Sequence, residues 1–256
     1  MDSSIRQKVA SSWDIHAKDY DAQYAHGLKS LGETEQWKLA LQQIAGKKNL
    51  KILDVGTGTG FLALLLAELG HKVKGVDISE GMMSEAKRKA EMKGLPIQFS
   101  YGDAENLDEP DNTYDLVINR HILWTMQYPE KAIQEWIRVL KPGGKLVIMD
   151  GDWFYRKPLY TLKIFIGKLL VAVTEFKNPW SHKQDYDEEL KRSLPMIKDE
   201  NARASVSLAN KCGLSNVKTY GLEKVAEAEK NAMPFKQKLL SPHRRIVIEG
   251  VKPKGG

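Results

Sequence analysis

The chain has 256 residues, 42% hydrophobic and 28% charged, which suits one enlarged globular domain better than two complete ones. Its single cysteine, Cys212, excludes an internal disulfide framework and a multi-cysteine zinc site, and it fits a reducing cytoplasm, the expected location. The net charge of +6 is dispersed, with small clusters at Lys87-Arg88-Lys89 and Arg244-Arg245, which argues for solvated faces and against a nucleic-acid partner. No stretch reaches the length of about 18 uncharged apolar residues that a transmembrane helix needs, and the first residues lack the apolar centre of a signal peptide.

In chain order, Ile5, Val9 and Trp13 recur every four residues and predict an amphipathic helix whose face continues through Ala17 to Tyr20 and Tyr24. A second helix is expected over Glu33 to Ala45, stopping near Gly46. Strands and helices then alternate. Leu50 to Val55 is an apolar strand, Phe61 to Leu69 a helix, and Lys72 to Val76 a strand. Ser79 caps a helix running to Lys93. Ile97 to Tyr101 and Asp115 to Asn119 are strands, Pro129 to Leu140 is a helix, and Gly144 to Met149 is the fifth strand. This alternation predicts a doubly wound, Rossmann-like α/β fold with a mostly parallel sheet covered on both faces. Residues 151–201 read as a helical and aromatic insertion. A helix over Ala202 to Lys211 and strands over Asn216 to Tyr220 and Arg245 to Ile248 complete seven strands, the last antiparallel, with no clear crossover helix between the final two.

The most informative stretch is Leu53-Asp54-Val55-Gly56-Thr57-Gly58-Thr59-Gly60-Phe61, between an apolar strand and an apolar helix. Glycines there let the backbone turn sharply and approach a ligand at the carboxyl edge of the sheet. The even spacing of Gly56, Gly58 and Gly60 departs from the G-x-G-x-x-G dinucleotide fingerprint, and no Walker-type phosphate loop is present. Asp77 ends the second strand, where a carboxylate can accept both hydroxyls of a ribose. Asp103 ends the third, available to the exocyclic amine of an adenine, and Ile78 and Met82 are placed to sandwich that ring.

With these residues in hand, the chain resembles the class I S-adenosylmethionine (SAM)-dependent methyltransferases, in particular the small-molecule branch that includes quinone and biotin biosynthesis enzymes. The likeness is carried by Leu53 to Gly60, by Val76-Asp77-Ile78-Ser79 with Met82, and by Gly102-Asp103-Ala104-Glu105-Asn106-Leu107. Tyr114-Asp115-Leu116-Val117-Ile118 and Arg138-Val139-Leu140-Lys141-Pro142-Gly143-Gly144-Lys145-Leu146 continue it. The resemblance implies that Gly56, Thr57 and Gly58 pass under the methionine part of SAM, that Asp77 holds the ribose, and that Asp103 and Ala104 contact the adenine. It also places Asn119 beside the cofactor and Arg120 beside the substrate. Trp13-Asp14-x-x-Ala17-x-x-Tyr20-Asp21 resembles the helix that folds over the cofactor, with Tyr20 toward the methionine end.

Methyl transfer from a sulfonium is an in-line displacement in which the protein mostly aligns donor and acceptor and excludes water. A base is needed only where the acceptor must lose a proton early, and His121, just after the fourth strand, is the best-placed candidate, ahead of His16 and His26. The acceptor pocket is expected from His16, Arg120, Trp124 and Trp153, with Phe154, Tyr155 and Trp180 of the insertion as a lid. No His, Cys and carboxylate spacing suggests a metal. The expected activity is methylation of a small-molecule O, N, S or C nucleophile. A tRNA or protein acceptor, or a catalytically silent SAM-binding protein, are the competing readings.

Overall fold

Seven strands form one sheet: β1 (Lys51–Val55), β2 (Lys72–Asp77), β3 (Gln98–Tyr101), β4 (Tyr114–Arg120), β5 (Leu140–Gly151), β6 (Ser215–Tyr220) and β7 (Arg245–Val251). The computed structural model describes residues 1–24, 26–151, 158–175, 186–197, 201–240 and 245–254. The strand order is β3-β2-β1-β4-β5-β7-β6. Strands β1 to β5 pair in parallel, and β7 runs antiparallel to both β5 and β6. The order reverses between β1 and β4, which opens a crevice outside their carboxyl ends where ligands of doubly wound sheets bind.

The helices are α1 (Ser3–His16), α2 (Leu31–Ala45), α3 (Phe61–Glu68), α4 (Glu80–Met92), α5 (Pro129–Val139), α6 (Pro158–Glu175), α7 (Glu188–Ser193), α8 (Asn201–Lys211), α9 (Glu223–Ala232) and α10 (Phe235–Leu240). Because side chains alternate along a strand, the apolar runs serve two cores. Leu53, Val55, Val117 and Ile148 pack on one face against Ile133 and Trp136 of α5 and Ala209 of α8. Ile52, Leu116, Ile118 and Val147 pack on the other face against Trp37 and Leu41 of α2 and Leu62 and Leu66 of α3. Ser79 caps α4 as expected, its hydroxyl accepting the Met82 N–H at 3.1 Å.

Two expectations are corrected. Helix α1 ends at His16 rather than carrying its face to Tyr24, and the chain folds into a short 3₁₀ turn at Tyr20–Ala22. Side-chain bonds from Asp14 and Asp21, described below, hold this bend. The second concerns the link from β6 to β7, which contains α9 and α10. Helix α9 offers a single large apolar residue, Val225, because its anchor is partly polar. Besides Val225 it buries Glu229, which accepts the Trp37 indole N–H at 3.3 Å and pairs with Arg245 on β7. A hydrophobic pattern does not register such an anchor. Trp153, Phe154, Tyr155 and Trp180 lie outside the described residues.

Candidate functional site

The crevice at the strand ends encloses about 680 Å³ of empty space, its mouth included. Its floor is the glycine loop. Gly56, Gly58 and Gly60 all have left-handed backbones, with φ of 66°, 54° and 82°, a region where a β-carbon is strained. Their surroundings differ. A β-carbon on Gly56 would lie 2.4 Å from Ile122, and one on Gly60 3.1 Å from Ala86, whereas one on Gly58 would meet nothing within 4 Å. Gly56 is thus held to glycine by packing as well as by φ, and Gly60 chiefly by φ. Gly58 leaves bare main chain facing the crevice it lines.

Beneath the loop, Asp54 accepts the Thr57 hydroxyl at 2.7 Å and the Ala63 N–H at 3.1 Å. Burial pushes its carboxyl up to about 7, against those two hydrogen bonds. Thr57, expected at the cofactor, is therefore turned toward Asp54 and does not line the crevice. Asp77 does line it. Its two oxygens accept the N–H groups of Gly58 at 2.7 Å and Ser79 at 2.9 Å. Burial raises its pKa while these bonds oppose the rise.

Ile78, Met82, Asp103 and Ala104 form the adjoining wall, as their spacing suggests. One Asp103 oxygen accepts the Glu105 N–H at 2.9 Å, and the other faces the Met1 amine at 3.3 Å and Arg6 at 3.4 Å. The Ala104 carbonyl accepts the Trp136 indole N–H at 3.0 Å, which anchors this wall to α5.

At the end of β4 the three consecutive candidates part company. Asn119 is fully buried within the sheet, its amide has no hydrogen-bond partner among the described residues, and it does not line the crevice. Arg120 lines the crevice from the opposite face of the strand. Its guanidinium lies 3.7 Å over the Phe61 ring and donates to the His26 carbonyl at 3.1 Å. Burial lowers its pKa to about 10. His121 lines the crevice too, buried, with a left-handed φ of 64°. Its N–H donates to the Met149 carbonyl at 2.8 Å, so the pairing of β4 with β5 supports a conformation that costs about 1 kcal/mol or more.

A run of ring contacts passes along the crevice, three of its members, Trp13, Tyr20 and His121, lining it. Tyr186 lies 5.6 Å from Trp124, Trp124 6.3 Å from Trp13, and Trp13 5.9 Å from Tyr20. Tyr20 lies 4.6 Å from His26, which lies 5.9 Å from His121. Tyr20 faces the crevice, and burial raises its hydroxyl pKa. Trp124 joins the run without lining the crevice, and His16, half-buried at the end of α1, is not brought to it. Trp153 lies outside the described residues.

The sequence reading missed what holds α1 and the turn after it in place. Asp14 accepts the Ser79 hydroxyl at 2.5 Å and the Gly81 N–H at 2.9 Å, capping α4 from α1. Asp21 accepts the Thr59 hydroxyl at 2.6 Å and pairs with Lys89 at 2.5 Å, joining the 3₁₀ turn to the glycine loop. Both acids stand in the Trp13 to Asp21 pattern, where their signal was visible but their partners were not. Ile122, Thr125 and Met126 also line the crevice and carried no sequence signal, and Val9, read only as part of the first helix's apolar repeat, lines it too.

Comparison with known proteins gives a consistent result. Residues 53–148 match the family model described as a methyltransferase domain. The chain is 40% identical over 126 residues to a demethylmenaquinone methyltransferase of Thermus thermophilus, covering 48% of this chain and 57% of that protein. It is 36% identical over 182 residues to a demethylmenaquinone methyltransferase of Bacteroides fragilis, covering 66% of this chain and 74% of that one. The first three curated relatives are matched over only 54% to 58% of their length. Among solved structures, Haemonchus contortus phosphoethanolamine N-methyltransferase 2 in complex with S-adenosyl-L-methionine superposes with a TM-score of 0.64 at 19% identity. That match covers 98% of this chain and 60% of that one, and it shows the shared fold.

Proposed function

Because the chain belongs to the class I SAM-dependent methyltransferase family, we propose that it is a methyltransferase that moves the methyl group of SAM to a small-molecule acceptor. The observation that carries this reading is the bare main chain of Gly58, its N–H joined to the Asp77 carboxylate at the crevice floor. A nucleoside lying there meets no β-carbon from the loop. Asp77 would hold the ribose hydroxyls and Asp103 with Ala104 the base, and Ile78 and Met82 would supply the apolar walls. When bound, SAM supplies an electrophilic methyl on a positively charged sulfur that leaves without needing a proton.

The chain's own residues do the rest. Trp13, Tyr20 and the glycine loop exclude water, and Arg120 and His121 border the space for the acceptor. His121 is the group on hand to accept a proton from that acceptor. Val9, Ile122 and Met126 make the lining apolar and, with the relatives' printed names, favour a quinone-like acceptor. No metal is required, and the single unpaired Cys212 suits action in the cytoplasm. Among the described residues no helix is long and apolar enough to cross a membrane.

Calorimetry with SAM and with NAD tests the donor: SAM binding is expected, and binding of NAD alone overturns the reading. Incubation with isotopically labelled SAM and a metabolite extract, followed by mass spectrometry, then identifies the acceptor.

A further inference from the structure

Away from the crevice, α6 carries an apolar stripe that is largely exposed. Leu162, Phe165, Ile166, Leu169 and Val173 are between 42% and 65% exposed. At 100° per residue they share one side of the helix. Gly167 and Val171 lie on the opposite side and are buried there. Helix α10 packs against that side closely enough that a β-carbon on Gly167 would fall 2.9 Å from Leu240 and 3.1 Å from Leu239. Phe235, at the start of α10, is itself 72% exposed.

The charged side chains described along the stripe are lysines. On the helical wheel Lys163 and Lys168 fall on either side of it, and Lys236 and Lys238 stand on α10. Neither Pro158 to Thr174 nor α10 contains an Asp or Glu. An apolar stripe bordered by lysines is the pattern of a helix that lies in the plane of a bilayer, apolar side down, with its ammonium groups among anionic headgroups. A second copy of this chain fits the face poorly. Stripe against stripe would bring Lys163 and Lys168 near their own copies, at a desolvated contact where like charges are costly.

We propose that the face formed by α6 and α10 docks on an anionic lipid bilayer. This rests on the two helices alone and is independent of how the crevice is read. The docked protein lies at the surface where an apolar acceptor would dissolve.

Co-sedimentation of the full chain with vesicles tests it, comparing phosphatidylcholine mixed with phosphatidylglycerol against pure phosphatidylcholine. The chain is expected to sediment with the mixed vesicles, to bind the neutral ones at least about tenfold more weakly, and to be released in part by salt. The double variant I166E/L169E should weaken binding to mixed vesicles by at least about tenfold. K163Q/K168Q should remove part of the preference for the anionic lipid. Circular dichroism and SAM titration of both variants should match the parent, because the altered side chains lie on the exposed side of α6 or at its edges. Failure to bind mixed vesicles, or binding that neither variant changes, overturns the proposal. So does a lipid-free dimer in sedimentation equilibrium that I166E/L169E dissociates, since a second copy would then cover the face.

Discussion

The glycine-loop half of the molecule and the half that follows β5 are assembled differently. From β1 to β3, successive strands are neighbours in the sheet, and β1 and β2 each hand the chain to a helix, α3 and α4, that packs back on it; β3 then passes directly to β4 on the other side of β1. The crevice arises there from short-range features: left-handed glycines, a capping serine and carboxylates at strand ends. After β5 the elements depend on distant partners. Helix α9 is anchored through Trp37, far back in α2, and α6 rests on α10, some seventy positions later. Ligand-binding geometry is thus concentrated where local and tertiary preferences agree, while the later half supplies surface and the strands that close the sheet.

The sharpest break in that comparison is Gly56→Ala. Its β-carbon would sit 2.4 Å from Ile122 on a backbone with φ of 66°. A loss of about 3–4 kcal/mol in denaturant unfolding is expected. Next is Asp77→Ala, which should weaken SAM binding about 100-fold by calorimetry, the value of charge-assisted hydrogen bonds in a buried site. Unchanged affinity would place the nucleoside elsewhere.

Asp54 sharpens the contrast through pH. Its folded pKa of about 7 lies well above that of a free carboxylate, because burial disfavours the charge. The native state therefore holds a proton that the unfolded chain releases. Stability from this group is present at low pH, falls as pH rises from about 4 toward 7 by up to about 1.4 kcal/mol per unit, and then levels off. Melting curves of Asp54→Asn, which keeps an oxygen for Thr57 and Ala63, should lose that slope. Asp21→Ala, which frees the turn from Thr59 and Lys89, should weaken SAM about fivefold with little change in melting temperature, since Asp21 is partly exposed. The smallest effect belongs to the later half. Leu169→Gln, at a residue 48% exposed, should shift stability by less than about 0.5 kcal/mol and leave SAM affinity unchanged.

The crevice walls were legible because the residues that form them sit at fixed offsets from strand ends. Gly58, Asp77, Ile78, Met82, Asp103 and Ala104 all follow from reading where strands stop. Thr57 and Asn119 stand at equally promising offsets and face elsewhere, Thr57 toward Asp54 and Asn119 into the sheet. Side-chain direction at a loop or strand end depends on neighbours that offsets do not reveal. His16 failed to reach the crevice because α1 ends there and the chain bends.

Periodicity and glycine spacing were enough to settle the alternating architecture, the strand preceding the loop and the carboxylates beyond it, since these follow from backbone preference and burial over a few residues. Tertiary structure alone decided that Asp14 and Asp21 clamp α1 and its turn onto α4 and the loop, that Arg120 stacks on Phe61, and that six rings follow one another from Tyr186 to His121. Those choices join residues distant along the chain through directional hydrogen bonds and ring contacts, and such partners become identifiable only once the sheet has brought them within reach.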